Sequence, residues 1–154
     1  MRAPVTAFVA LGANLGDAVD SVRQAMDAIG AIAGVQLVRR SSLYRSAPID
    51  SGGPDYINAV VELSSVLCAP ELLGQLQTIE NGAGRQRPYR NAPRTLDLDL
   101  LFYGSASIDS PQLLLPHPRM LARAFVLRPL AEIAPGMVGA EALQAVADQV
   151  CVAV

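Results

Sequence analysis

The stretch Arg94-Thr95-Leu96-Asp97-Leu98-Asp99-Leu100 carries the side chains with the clearest chemical potential in this chain. Its alternation of apolar and acidic residues is typical of a β-strand, because successive side chains point to opposite faces. Asp97 and Asp99 then share one face, roughly 7 Å apart along the strand. Two such carboxylates repel each other unless a cation lies between them, and Mg²⁺ that also binds a phosphate chain meets this need. The alternative is a strand with a solvated acidic face, which the stretch taken alone favours.

The segment before this strand, residues 84–94, is strongly cationic. It holds Arg85, Arg87, Arg90 and Arg94, four of the twelve basic residues in the chain. Arginine side chains bind phosphate oxygens, while the acids that follow suit a metal ion. The two charge types are segregated rather than mixed. We therefore favour an anion-binding loop over a solvated charged turn.

Composition limits the classes of protein to consider. With 154 residues, of which 51% are hydrophobic, the chain predicts one domain over residues 1–154. A net charge of −2 argues against nucleic acid as a partner. No apolar run approaches the roughly 20 residues needed to cross a bilayer, and residues 5–11 are too short for a signal peptide. Cys68 and Cys151 match no zinc or disulfide spacing, so we expect a reduced, cytoplasmic setting.

Two common catalytic classes are excluded by the residues that the chain lacks. There is no lysine, so every cation is an arginine and a P-loop, which needs its lysine beside the phosphates, cannot form. His117 is the single histidine, and no Gly-x-Ser-x-Gly segment supplies a serine nucleophile for it. A lone histidine is more often structural than catalytic.

Apolar periodicity predicts the elements that must position these residues. We expect strands at 6–11, 35–44, 56–63 and from 94 to about 103, and helices from Asp17 to Gly30, over 70–81 and over 141–150. The first strand is apolar on both sides, which predicts a central position in the sheet, and residues 12–17 after it predict a turn. The apolar stripe of the first helix consists of Val22, Ala25, Met26 and Ile29. In the last helix, Leu143, Val146 and Val150 share one side. The order strand, helix, strand, strand, helix, strand is the ferredoxin-like split βαβ pattern with additions. It predicts an α+β fold with a mostly antiparallel sheet and helices on its faces.

Other side chains are candidates for a small-molecule site. Tyr56 and Asn58 share a strand face, where they could stack on and hydrogen-bond to a flat heterocycle. The alternative is an aromatic ring over the core and an amide satisfied by backbone, and the pair alone favours it. Glu80 extends the inward stripe of its predicted helix, with Gln77 nearby. A frayed, exposed last turn is the alternative there.

These segments, in this order, resemble the 6-hydroxymethyl-7,8-dihydropterin pyrophosphokinases of folate biosynthesis. The run Pro93-Arg94-Thr95-Leu96-Asp97-Leu98-Asp99 is highly specific, and the resemblance covers nearly the whole chain. The matching segments are 10–16, 42–48, 54–59, 77–80, 84–87, 92–99, 115–118 and 123–125.

The resemblance implies transfer of a pyrophosphoryl group from ATP to the hydroxymethyl group of 6-hydroxymethyl-7,8-dihydropterin, with release of AMP. Asp97 and Asp99 would carry two Mg²⁺ ions that bridge the ATP phosphates. Arg85 and Arg94 would neutralise charge on the transferred phosphates. No residue stands out as a general base, so catalysis would come from positioning and metal electrostatics. We expect a monomer that acts on these two small molecules.

The resemblance also divides the remaining site residues between the two substrates. Those implied in nucleotide binding are Gln77, Glu80, Arg87, His117 and Arg123, with the backbone near Leu100 reading the adenine edge. Those implied in pterin binding are Tyr56 and Phe125, which sandwich the ring, Asn58, which reads its pyrimidine edge, and the loop residues Ser46, Ala47 and Ile49. Closure of the loops at 46–55 and 84–94 would exclude water, which competes for ATP.

Three positions depart from the family pattern. Asn91 replaces a tryptophan found in some members, in a loop that is one residue shorter. Gln112 replaces a basic residue that some members have, and Pro118 replaces an aromatic residue that some members have beside the histidine. These changes predict altered loop closure and weaker nucleotide binding. Two alternatives stay open: a non-catalytic pterin- or nucleotide-binding module of the same fold, and a structural domain with an acidic strand, which would not bind ATP with Mg²⁺.

Overall fold

The computed structural model of the protein describes residues 3–47, 54–84 and 96–154. Its strands are β1 (Val5–Ala13), β2 (Val35–Arg40), β3 (Tyr44–Ser46), β4 (Tyr56–Ser65), β5 (Asp97–Tyr103), β6 (Ile108–Asp109), β7 (Leu114–Leu115) and β8 (Cys151–Ala153). Its α-helices are α1 (Ala18–Gly30), α2 (Ala69–Gly84), α3 (Ala124–Ile133) and α4 (Ala140–Ala145), with short 3₁₀ turns at Met120–Ala122 and Pro135–Met137.

A six-stranded sheet forms the centre of the fold. Its strands lie in the order β5-β1-β4-β3-β8, and β2 also pairs with β4. All of these pairs are antiparallel, and the register of β1 against β4 runs unbroken from Val5 opposite Ser65 to Ala13 opposite Ile57. The α+β fold with a mostly antiparallel sheet is therefore confirmed.

Helices cover both faces of this sheet. One face of β1, β4 and β5 packs against α1 and α2, and contributes Leu11, Leu63 and Leu98 to the main core. The opposite face packs against α3 through a second cluster that contains Phe8, Val60 and Leu130. A strand that is buried on both faces has a continuous apolar sequence rather than an alternating one. The expectation that the first strand is central is thus confirmed.

Helix α1 follows from local signals. Asp17 caps it by accepting a hydrogen bond of 3.1 Å from the backbone N–H of Asp20. The predicted apolar stripe of Val22, Ala25, Met26 and Ile29 is buried. No helix in the described part of the chain combines the length and hydropathy that crossing a bilayer requires.

The structure corrects the sequence-based prediction in three places. β1 continues through Gly12 to Ala13, so Gly12 lies in a strand and not in the predicted turn. The predicted strand 35–44 is divided into β2 and β3, because the backbone of Ser41 turns to Val60 and its hydroxyl also accepts from the Val60 N–H at 2.9 Å.

The last correction concerns the predicted helix 141–150. It ends at Ala145, and Val150 is 69% exposed rather than buried on its apolar side. The side chain of Gln149 instead binds the first turn of α3, where its Oε1 accepts from the Ala124 N–H at 2.9 Å. The residues that follow form β8, which pairs with β3 and buries Cys151. Both partners of this end segment lie far away in the sequence, so local periodicity does not reveal them.

Candidate active site

Three adjacent strands bring an amide and a carboxylate to the same row of the sheet. On β1, Gly12 lies opposite Asn58 of β4 on one side and opposite Asp97 of β5 on the other. Directly opposed residues share a face of a sheet. Asp99 lies in the next row on that face, opposite Ala10. Ala10 packs in the cluster under α3, so these polar groups lie on the face of the sheet opposite to α1 and α2.

Gly12 forms the floor between Asn58 and Asp97. A Cβ atom at this position would lie 3.4 Å from the Oδ1 of Asn58. Glycine therefore keeps the space between the amide and the carboxylate open. The sequence analysis did not assign Gly12 to the site. The signal that could have identified it is a glycine within a segment matching the family, at the end of an apolar strand.

A small cavity joins the two sets of residues that the sequence analysis assigned to different substrates. Its volume is about 70 Å³, and it lies between the ends of β1, β4 and β5 and the first turn of α3. The lining includes Gly12, Asn58, Asp97, Asp99, Met120 and Phe125. The predicted metal ligands thus border the same space as two of the predicted pterin-binding residues.

Asn58 is buried and has a defined orientation. Its Nδ2 donates a hydrogen bond of 2.7 Å to the Oγ of Ser46, and both residues are at least 96% buried. The amide is therefore held by a side chain of β3. The alternative given in the sequence analysis, an amide satisfied by backbone, is not what the structure shows. Tyr56 lies two residues earlier on β4, opposite Ser46, and is partly buried. Ala47, the residue after β3, is exposed.

The acidic pair consists of two accessible carboxylates on the same face of β5. Asp97 and Asp99 are both partly exposed on β5. Within the described residues, no group of three or more His, Cys, Asp or Glu side chains is arranged to hold a metal ion. Mg²⁺ binds in many phosphate-handling sites through one or two carboxylates, with water and phosphate oxygens at its remaining positions. A pair of accessible carboxylates fits this mode of binding.

Glu80 reaches from the end of α2 to the strand that carries the acids. Its Oε2 accepts a hydrogen bond of 2.7 Å from the backbone N–H of Leu98. Because β5 is the last strand of the sheet among the residues that the structure describes, every second N–H group points away from β1 and needs another partner. Glu80 supplies one, and its side chain is directed inward, as predicted from its position in the helix.

His117 is brought to the same acids. Its Nε2 lies 3.9 Å from the Oδ1 of Asp99, and its Nδ1 accepts from the Met120 N–H at 3.3 Å. The backbone N–H of His117 donates to the Leu101 oxygen at 3.1 Å, which ties the segment to β5. The Nδ1 atom is thus occupied by the Met120 N–H, and Nε2 faces the carboxylate of Asp99.

A second cavity lies beside α2, away from the acids. It measures about 360 Å³ and has a largely apolar wall; it is lined by Pro70, Leu73, Gln77, Ile108, Ser110, Gln112 and Leu113. It contains Gln77, predicted to bind nucleotide, and Gln112, one of the departures from the family pattern. The side chain of Leu100 is buried in the main core, so only its backbone is left for a ligand.

The remaining predicted residues are distributed as follows. Arg123 directly precedes α3 in an extended conformation and is partly exposed. Ile49, Arg85, Arg87, Asn91 and Arg94 lie outside the described residues. The predicted arginine contacts therefore remain predictions.

Comparison with known proteins identifies the family. Residues 8–135 match the profile of 7,8-dihydro-6-hydroxymethylpterin-pyrophosphokinase (HPPK). A 2-amino-4-hydroxy-6-hydroxymethyldihydropteridine pyrophosphokinase of Synechocystis is 47% identical over 132 residues, which cover 86% of this chain and 68% of the relative. One from Haemophilus influenzae is 44% identical over 135 residues, which cover 87% of this chain and 84% of the relative.

A solved structure supports the fold. The crystal structure of Plasmodium falciparum HPPK-DHPS with pterin and p-hydrobenzoate superimposes with a TM-score of 0.63 at 13% identity. The match covers 86% of this chain and 41% of that protein, so this chain spans about two fifths of its length. The match of the profile over most of the chain, together with relatives above 40% identity, establishes that this chain belongs to the 7,8-dihydro-6-hydroxymethylpterin-pyrophosphokinase family, the pyrophosphokinases of folate biosynthesis.

Proposed function

We propose that this protein, as a single domain over residues 1–154, transfers the pyrophosphoryl group of ATP to the hydroxymethyl group of 6-hydroxymethyl-7,8-dihydropterin. The products are AMP and the pterin diphosphate. One observation carries the proposal: Asp97 and Asp99 line the same cavity as Asn58 and Phe125. Transfer between two substrates requires that the groups holding the phosphates and those holding the acceptor meet at one place.

The acceptor side of the site is suited to a flat heterocycle with hydrogen-bonding edges. Because the Nδ2 of Asn58 donates to Ser46, the Oδ1 remains as an acceptor directed to the open floor at Gly12. This oxygen would accept from N–H groups at the pyrimidine edge of the pterin. Phe125 lines the cavity as one aromatic wall, and Tyr56 on β4 would supply the other. The loop residues Ala47 and Ile49 would complete recognition through their backbone.

The phosphate side relies on charge. Asp97 and Asp99 would hold two Mg²⁺ ions, which neutralise the phosphate chain and polarise its β-phosphorus when bound. The hydroxymethyl oxygen forms a bond to the β-phosphorus, the bond from that phosphorus to the α,β-bridging oxygen breaks, and the hydroxyl proton is released. AMP leaves with the bridging oxygen. Arg85 and Arg94 would stabilise the charge that develops on the transferred group.

The nucleotide would extend from the acids to the cavity beside α2. Its lining of Leu73, Leu113 and Gln77 offers apolar walls and an amide, which suit an adenine ring. We assign the ring to this cavity, where the backbone near Leu100 would read its edge. Glu80, Arg87, His117 and Arg123 would contact or orient the rest of the nucleotide.

Product analysis tests the proposal. The protein is incubated with Mg²⁺, ATP and 6-hydroxymethyl-7,8-dihydropterin, and the phosphorus NMR spectrum identifies the nucleotide product. We expect AMP with a pterin diphosphate, and no reaction when the metal is chelated. ADP would contradict pyrophosphoryl transfer. Binding of both substrates without turnover would favour the non-catalytic module instead. We also propose that the protein is a cytoplasmic monomer, which sedimentation and fractionation test.

A further inference from the structure

Glu132, near the end of α3, binds one residue of the connection between β2 and β3 and the first residue of β3. Both of its carboxylate oxygens accept from the Ser42 N–H at 3.0 Å, and Oε2 also accepts from the Ser42 hydroxyl at 3.0 Å. The Tyr44 hydroxyl donates to Oε1 at 2.7 Å. We call Ser42, Tyr44 and Glu132 the Glu132 clamp.

A neighbouring contact fastens the same end of the helix. The Nη1 of Arg39 donates to the backbone oxygen of Ile133 at 3.0 Å, and its Nε lies 3.9 Å from a carboxylate oxygen of Glu62 on β4. Two consecutive residues of α3, Glu132 and Ile133, are therefore attached to the segment 39–44. The position of this end of the helix is set by these side-chain contacts as well as by the apolar cluster beneath it.

Each element joined by the clamp carries part of the proposed pterin site. Phe125 lies in the first turn of α3, and seven residues of helix at about 1.5 Å each separate it from Glu132. Tyr44 lies directly opposite Asn58 in the pairing of β3 with β4. Tyr44 and Phe125 also pack against one cluster that contains Ala124 and Leu127. A tilt or shift of α3 would thus change the distance between Phe125 and Asn58.

The groups of the clamp are in the protonation states that these hydrogen bonds need. Burial, together with the hydrogen bond to Glu132, raises the pKa of Tyr44 from 10.0 to about 12. Burial would raise the pKa of Glu132, but the hydrogen bonds from Tyr44 and Ser42 outweigh it and lower that pKa. A protonated phenol and an ionised carboxylate therefore face each other throughout the neutral range.

We propose that Glu132 is a positioning residue, which acts through Tyr44 and Ser42 to hold Phe125 at the distance from Asn58 that a flat pterin ring requires. The inference rests on the proposed function, since it assigns the site to a pterin. Glu132 itself contacts neither substrate. Loss of the clamp weakens recognition of the heterocycle and leaves the nucleotide cavity beside α2 unchanged.

The test compares Tyr44→Phe and Glu132→Ala with Tyr103→Phe. Tyr103 is a matched control, because its hydroxyl also donates one short hydrogen bond, at 2.6 Å, to the backbone oxygen of Leu67, on the other side of the sheet. Calorimetry gives the affinities for a non-hydrolysable ATP analogue and, in its presence, for the pterin. We expect Tyr44→Phe to weaken pterin binding about tenfold, the scale of one hydrogen bond to a charged group. The affinity for the nucleotide should stay unchanged in all three variants.

A second measurement needs no ligand. The NMR signals of the Phe125 ring and of the Asn58 side-chain amide should shift in Tyr44→Phe and Glu132→Ala and stay in place in Tyr103→Phe. If Glu132→Ala does not fold, Glu132→Gln replaces it. Because both changes remove the same contact, the double variant should lose no more pterin affinity than the stronger single one.

The outcomes separate this inference from the proposed function. The proposed role of the clamp is overturned if the NMR signals of Phe125 and Asn58 do not shift in Tyr44→Phe and Glu132→Ala. It is also overturned if the unchanged protein binds pterin and Tyr44→Phe binds it equally tightly. Equal losses of pterin and nucleotide affinity overturn it as well, because they indicate general damage to the fold. Failure of the unchanged protein to bind pterin overturns the proposed function itself.

Discussion

The Oε2 of Glu80 lies 2.7 Å from the backbone nitrogen of Leu98, the residue between Asp97 and Asp99. A carboxylate on α2 thus fixes the backbone from which two proposed metal ligands project in the opposite direction. Groups that hold the ligands of a metal commonly change its affinity about 10- to 100-fold when they are removed.

Glu80→Ala should therefore weaken Mg²⁺-dependent ATP binding by about 10-fold or more, because the Leu98 N–H loses its acceptor and β5 its alignment. Titration calorimetry with and without Mg²⁺ measures the effect. Glu71→Ala is the control, since the Oε1 of Glu71 on the same helix accepts from the Cys68 N–H at 3.0 Å, at the other end of α2. An equal loss of binding without Mg²⁺ would mean that Glu80 contacts the nucleotide directly.

Replacing either acid by its amide should remove turnover while the fold persists. Asp97→Asn and Asp99→Asn keep the shape of the side chain but lose the charge that binds Mg²⁺. We expect turnover to fall to near the background rate, with the thermal midpoint little changed. Asp109→Asn, on the exposed face of the β6–β7 hairpin, is the control for a lost surface charge. Normal turnover in the first two variants would rule out the metal assignment.

Gly12→Ala should impair pterin binding without harming the fold. The added Cβ would lie 3.4 Å from the Oδ1 of Asn58, on the floor that the pterin edge is proposed to approach. Because alanine loses less backbone entropy on folding than glycine, stability should hold or rise. Gly74→Ala is the control, since nothing lies within 4 Å of its added Cβ. Calorimetry with pterin and thermal unfolding measure the two effects, and undiminished pterin affinity would place the ligand elsewhere.

Tyr56→Ala should separate the two substrates. Tyr56 lies on β4 two residues from Asn58, whereas the proposed adenine cavity is lined by α2 and the segment 108–113. Pterin affinity should fall by about tenfold, within the 1 to 3 kcal/mol that aromatic stacking on a base contributes. Binding of the ATP analogue should be unaffected. Equal effects on both ligands would contradict the division of the site.

The paired pKa shifts of Tyr44 and Glu132 predict two limits to stability with pH. The pKa of Tyr44 is raised to about 12 from 10.0. Its contribution to the free energy of unfolding is therefore complete below pH 10 and is lost as the pH rises towards 12. The pKa of Glu132 is lowered, so its contribution is complete above the unfolded value of 4.5 and is lost at lower pH. Thermal unfolding of the unchanged protein and of Tyr44→Phe should differ at neutral pH and converge above pH 12. A constant difference across this range would contradict the assigned hydrogen bond.

The sequence predicted the parts of the molecule that local patterns determine. The alternation around Asp97 and Asp99 placed them on one face, and the apolar stripe from Val22 to Ile29 defined the buried side of α1. The inward direction of Glu80 followed from its spacing in the helix. These features depend on residues within a few positions of each other.

The parts that were missed depend on contacts between distant segments. The break between β2 and β3 arises where Ser41 binds Val60, and β8 exists because β3 offers it an edge to pair with. The role of Gly12 emerges only when β4 and β5 are placed on either side of it. The periodicity of a single segment does not reveal which distant segments it will contact.

The position of β5 has a consequence for how the site holds together. Gly12 lies on β1, inside the sheet. Core strands generally open only in the larger unfolding events. Asp97 and Asp99 lie on β5, which pairs with β1 alone among the described strands, and edge elements open more readily. The acids of the site are therefore held by an edge strand, which opens more readily than the strand that carries Gly12. A ligand that contacts both strands raises the free energy needed to open β5. This edge of the sheet therefore becomes more resistant to local opening as substrate occupies the site.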